Sequence, residues 1–128
     1  MSLLLDTHVF LWFVEEDPRL SSRTAEAIES EPELLLSVAS LWQIAIKVRL
    51  EKLKLSEDYE TLIPQQLNLN NIGTLPISFE HLTLVAKMPL HHRDPFDRLI
   101  IAQAMAEDIT LVSRDKKFDE YAVKKMWL

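Results

Sequence analysis

Short, continuous apolar runs alternate along this chain with longer stretches of helical spacing. Leu3-Leu4-Leu5, Leu34-Leu35-Leu36-Ser37-Val38 and Ile109-Thr110-Leu111-Val112-Ser113 have little polar face, as expected of strands covered on both sides. Thr74 to Ile77 reads as a further strand, and Lys125 to Leu128 as a last edge strand. Between them, His8 to Val14 is a dense apolar helix that Pro18 breaks. Ser21 or Ser22 can cap a helix running to about Ser30, which Pro32 ends. Ala39 to Leu50 carries Leu41, Ile44, Ala45 and Val48 on one stripe, with Trp42 beside them. In Glu51 to Asn71, residues Tyr59, Leu62, Ile63 and Gln66 fit a helix interrupted by Pro64, and Asn68, Asn70 and Asn71 mark a turn. Ser78 can cap a helix through Leu82, Val85 and Ala86 that ends near Pro89. Leu99 to Met105 is helical, and Phe118 and Tyr121 belong to a short helix. Alternation of this kind predicts a three-layer α/β/α sandwich with a mostly parallel central sheet, in one domain spanning 1–128.

Three aspartates stand out against that frame, each where a strand is expected to hand over to a helix. Asp6 closes the first apolar run, Asp97 lies in Asp94-Pro95-Phe96-Asp97-Arg98, and Asp115 follows Val112-Ser113. Ligands of open α/β sheets bind outside the carboxyl ends of the strands, so these side chains can converge. Carboxylates brought together repel unless a cation lies between them, and a divalent ion with oxygen ligands is the usual solution. Helix capping competes with this reading at Asp6, Asp115 and above all Asp94, which precedes a proline at the first helical position. Asp97 differs. Ile100, Ile101, Ala104 and Met105 follow it at helical spacing, placing it on the core-facing stripe, where an unpaired charge is costly.

Composition narrows the chemistry. The 128 residues are 48% hydrophobic and 27% charged, enough for one globular core. No apolar run approaches the roughly 18 residues of a membrane span, and no basic segment precedes the first apolar run, so a cytoplasmic protein is expected. With no cysteine there is no disulfide frame and no thiolate nucleophile. One glycine, Gly73, cannot build a dinucleotide or nucleoside-triphosphate phosphate loop. The net charge of −6 argues against broad phosphate neutralisation. Basic residues are local, at Lys47, Arg49, Lys52 and Lys54 and at Lys116, Lys117, Lys124 and Lys125, so any nucleic-acid contact should be short and confined to a pocket.

Four blocks then resemble, in order and spacing, the motifs of PIN-domain ribonucleases, most of all VapC-like toxins of toxin–antitoxin pairs. They are Leu5-Asp6-Thr7-His8, the run Ser40 to Lys47, the run His92 to Ala104, and Ser113-Arg114-Asp115-Lys116-Lys117-Phe118. The resemblance implies a Mg²⁺- or Mn²⁺-dependent endoribonuclease, often dimeric, held inactive by a small antitoxin. It implies Asp6, Asp97 and Asp115 as metal-binding carboxylates and Asp94 as an outer contributor. Lys47 and Arg98 are candidates either to contact substrate phosphate or to pair with the acids.

One position departs from the pattern. Where most relatives carry an acid after the tryptophan, this chain has Gln43. Ser40-Leu41-Trp42-Gln43 has the form of a capping box, in which glutamine serves as well as glutamate. A lost charge near the metal implies weakened activity, and a glutamine can still hydrogen-bond a metal-bound water. Two rivals follow: a PIN-like scaffold disabled at Gln43 that only binds a partner protein, and a phosphoacceptor receiver domain. The second lacks its acidic pair after the first strand and its aspartate after the third. The four histidines form no evident constellation, and Phe10, Trp12 and Phe13 are expected in the core or at a dimer contact.

Overall fold

The computed structural model describes residues 2–128. Its sheet contains β1 (Ser2–Leu5), β2 (Glu33–Ser37), β3 (Ile72–Leu75), β4 (Thr110–Val112) and β5 (Lys125–Met126). The spatial order is β3-β2-β1-β4-β5, and every neighbouring pair is parallel. The connecting helices are α1 (Thr7–Glu15), α2 (Ser22–Ser30), α3 (Val38–Arg49), α4 (Tyr59–Leu69), α5 (Phe79–Lys87) and α6 (Pro95–Glu107), with a 3₁₀ turn at Lys116–Glu120. None of these helices is long and apolar enough to cross a membrane.

Strand alternation accounts for the layers, because successive side chains point to opposite faces. Leu3, Leu5, Leu34, Leu36 and Val112 meet Val9, Phe10, Trp12, Ile28, Ile44 and Ile63 in one core. Leu4 and Leu111, one step out of phase, meet Leu99, Ile100, Ile101 and Phe118 in the other. Helices therefore cover both faces, giving the α/β/α sandwich with a parallel sheet. Phe10 and Trp12 belong to the first core, with Phe13 packed against it.

Several local expectations are corrected. The third strand starts at Ile72 rather than Thr74, because Ile72 is buried beside Leu34 while Pro76 lies beyond the strand's end. The last strand is only Lys125–Met126. Pro64 does not interrupt α4. Both Pro64 and Glu60, whose carbonyl loses its helical donor, are exposed, so water can satisfy that carbonyl while Leu62 and Ile63 stay buried. Ser21, not Ser22, caps α2. The cap of α3 is Ser37, whose side chain accepts from the Ala39 N–H at 3.0 Å. Ser40 thus lies inside the helix, and the Ser40–Gln43 capping box does not form. A capping box forms instead on α5, between Ser78 and His81.

The chain steps outward from β1 to β2 and β3, then returns through α5 and α6 to place β4 on the other side of β1. That reversal leaves a crevice outside the carboxyl ends of β1 and β4.

Candidate functional site

Asp6 leaves the end of β1 directly into this crevice. Its backbone N–H donates to the Val112 carbonyl at 3.0 Å, locking the end of β1 to β4. Its side chain makes no cap bond on α1 and is 4% exposed. Oδ2 accepts from Ser113 Oγ at 3.0 Å, while Oδ1 is buried without a hydrogen-bond partner. Such an orphaned acceptor is uncommon and calls for a reason.

Asp115 arrives from β4. It caps the 3₁₀ turn, Oδ1 accepting from the Lys117 N–H at 2.9 Å, and leaves Oδ2 3.4 Å from His92 Nε2. Asp97 arrives differently from the expectation of a strand-to-helix handover. No strand precedes α6; a loop from Met88 to Asp94 does, and the first helical turn carries Asp97 to the crevice. Its Oδ2 lies 3.0 Å from the same His92 Nε2. Asp6, Asp97 and Asp115 line a cleft of about 400 Å³, whose other walls are His8, Trp12, Arg19 and Arg114.

Burial raises two of the acids. Burial, then the charges of Asp6, Asp94 and Asp115, push the Asp97 carboxyl up to about 8, with Lys47 opposing. Burial likewise raises Asp6, offset in part by His8 and the Ser113 hydrogen bond. Both shifts arise first from burial, which penalises the ionised form, and at Asp97 the neighbouring carboxylates add to it; a bound cation would oppose both effects.

Asp94 goes to capping. Its Oδ1 accepts from the N–H groups of Phe96 at 2.9 Å and Asp97 at 3.2 Å, with Pro95 in the first turn. It stands outside the closest ligand group and reaches Asp97 only through its charge. Arg98 is corrected outright as a substrate or acid partner. It is 8% exposed, and its guanidinium donates to the carbonyls of Pro89 at 2.9 Å and Val85 at 3.0 Å, tying the loop before α6 to α5. Its side chain points away from Asp97 because adjacent helical residues diverge by about 100°.

His92 was not recognised in the sequence, where no histidine constellation was evident. It is 8% exposed, and the possible ligand atoms of His92, Asp97 and Asp115 all lie within 4.8 Å of one another. Nδ1 accepts the Asp94 N–H at 3.2 Å, which puts the neutral ring's proton on Nε2, facing both carboxylates. Alignment is poor enough that Nε2 has no hydrogen-bond partner. The available signal was its place two residues before the Asp94 cap, where the chain must curl back over the helix start.

Gln43 is 5% exposed, and its Oε1 is a second buried acceptor without a partner. Ser40, Gln43 and Lys47 recur at helical spacing on α3. Ser40 Oγ accepts from Thr7 Oγ1 at 2.8 Å, beside Asp6, and the Lys47 charge acts on Asp97. This face of α3 therefore looks towards the acids.

An α/β domain with an acidic cluster at the switch point of a parallel sheet is the class that fold and site define. The chain belongs to the PIN-domain family, whose model, described as PIN domain, matches residues 3–124. It is 30% identical over 118 residues to ribonuclease VapC22 of Mycobacterium tuberculosis, covering 91% of this chain and 88% of that one. Its fold is similar to that in the structure of VapBC2 from Rickettsia felis bound to a DNA fragment from their promoter, with a TM-score of 0.75, 18% identity and 100% of both chains covered. It is also similar to that of VapBC-1 from nontypeable Haemophilus influenzae, with a TM-score of 0.69, 17% identity, 98% of this chain and 97% of that one covered.

Proposed function

We propose that this protein is a VapC-like toxin, a cytoplasmic endoribonuclease that hydrolyses RNA phosphodiester bonds with Mg²⁺ or Mn²⁺. The observation that carries the reading is the convergence of Asp6, Asp97 and Asp115 on one cleft, with Asp97 raised to about 8. The donor set fits a hard divalent ion: carboxylate oxygens dominate, and the Asp6 Oδ1 acceptor is buried and unpartnered. Asp6, Asp97 and Asp115 would hold the ion, with Asp94 contributing charge from the cap. A bound ion of this kind polarises the phosphate and lowers the pKa of a coordinated water.

The chain's own groups do the positioning. Ser113 fixes one oxygen of Asp6. His92 Nε2–H faces Asp97 and Asp115, softening their mutual repulsion. Lys47 is half-buried and close enough to act on Asp97, which suits contact with the substrate phosphate. Gln43 presents a neutral acceptor on the same helix face, suited to a metal-bound water.

Partners follow from similarity. Several structurally similar proteins were solved as VapBC complexes, so we propose a small VapB-like antitoxin as this chain's partner, and a homodimer as its assembly. The competing reading, a weakened or inactive scaffold that only binds a partner, rests on Gln43. RNA cleavage by the purified protein in Mg²⁺, Mn²⁺ or EDTA, with Asp6→Asn as control, separates the two. Cleavage in either metal that Asp6→Asn abolishes supports the nuclease. A folded protein that cleaves under none of these conditions supports the scaffold.

A further inference from the structure

Arg114 sits one residue before Asp115 on the wall of the acidic cleft, yet it makes no ion pair or hydrogen bond among the described residues. Its guanidinium lies over the Trp12 ring at 4.7 Å and near the Trp127 ring at 5.9 Å. The two indoles brace one another edge to face at 6.2 Å. Arg19 also lies over Trp12, at 5.3 Å, but its Nη2 and Nε are spent on Asp17 at 2.7 and 3.1 Å. Arg19 commits its donors to Asp17; the Arg114 charge also reaches that carboxylate, but its own N–H donors stay unbonded.

A guanidinium held by its face keeps its edges free. Those edges carry N–H donors in the fork that matches two phosphate oxygens. The cleft needs such a group, since an acidic cluster does not by itself attract a phosphodiester. Trp12, His8 and Arg19 also line an adjoining pocket of about 210 Å³ that includes Lys47 and Lys52. Cations therefore line both the acidic cleft and the pocket that adjoins it across Trp12. This arrangement suits a single extended strand of RNA.

We propose that Arg114, stacked on Trp12 and Trp127, clamps a backbone phosphate of the RNA strand next to the scissile bond. The clamp rests on the ribonuclease reading above. It assigns Arg114 to binding rather than to chemistry, so its loss raises KM and leaves kcat in place.

The test uses a fluorescently labelled single-stranded RNA oligonucleotide and protein carrying Asp97→Asn, which silences cleavage, titrated across a range of KCl. Arg114→Gln is expected to weaken binding about tenfold, as for loss of one charged contact. The slope of log affinity against log salt should fall by about 0.7, one phosphate on a single strand. Arg114→Lys should restore the slope and only part of the affinity, because an ammonium lacks the planar fork. Arg23→Gln, an exposed charge on α2, is the control and should change little. In the active protein with Mn²⁺, Arg114→Gln should raise KM without lowering kcat, and its melting temperature should stay near that of the parent. Binding and slope no different from Arg23→Gln, with KM unchanged while Mn²⁺-dependent cleavage persists, overturn the clamp alone. If the unsubstituted chain neither binds nor cleaves RNA, the ribonuclease reading fails and the clamp with it.

Discussion

At the scale of single residues, the site is defined by groups held in unfavourable states. Asp97 keeps its proton up to about pH 8 in the metal-free protein, against an ordinary value of 3.8. Between those values the folded chain holds a proton that the unfolded chain has released. Metal-free stability therefore falls as pH rises through that window, and the loss is complete above the folded value. Urea midpoints in EDTA should decline from about pH 5 to about pH 8.5, and Asp97→Asn should flatten the decline. A parent profile that rises over this range contradicts the assignment. Gln43 gives a second, opposite-signed test. Because it closes no capping box and is buried, Gln43→Glu adds a charge to an overcharged cluster. Metal-free stability should drop, while Mn²⁺ affinity and RNA cleavage both rise. If neither rises, position 43 lies outside the site.

At the scale of elements, the helices carry two separate jobs that the sequence blends together. Arg98 stands next to Asp97 in the chain, and adjacency suggested a shared site, but helical geometry sends it to the carbonyls of α5 and its loop. Arg98→Ala should cost about 2–3 kcal/mol in urea unfolding, the scale of lost charged hydrogen bonds. A change within error would mean that those carbonyls are satisfied without it. Pro64 offers the reverse. α4 tolerates a proline in its interior, where an alanine is favoured by up to about 3 kcal/mol, so Pro64→Ala should raise stability. The apolar runs and the Asp94-Pro95 start of α6 were legible because local rules set them: period, capping and the fixed φ of proline. His92 was not legible. Its role depends on how the loop from Met88 to Asp94 folds back, with its N–H donating to the Tyr121 hydroxyl at 2.8 Å, a contact 29 residues away.

At the scale of the whole molecule, the parallel order β3-β2-β1-β4-β5 does what no single motif can. It sets Asp6 and Asp115 side by side at the ends of adjacent strands and brings Asp97 over them from α6. The strand–helix alternation predicted that such an edge would exist. It did not reveal which residues would surround it, because Trp12, Trp127 and Arg114 meet only through tertiary packing. Part of the net charge of −6 is concentrated at this edge, where a bound divalent ion would relieve it. Calorimetric titration of the metal-free protein with Mn²⁺ tests this most directly. Saturable binding should be observed, tightening as pH rises towards about 8, where Asp97 gives up its proton. Asp6→Asn, Asp97→Asn and Asp115→Asn should each weaken it sharply, while Arg98→Gln, in whatever fraction remains folded, should not. Absence of binding by the parent, or equal affinity in all three aspartate variants, would contradict the metal site and the ribonuclease reading built on it.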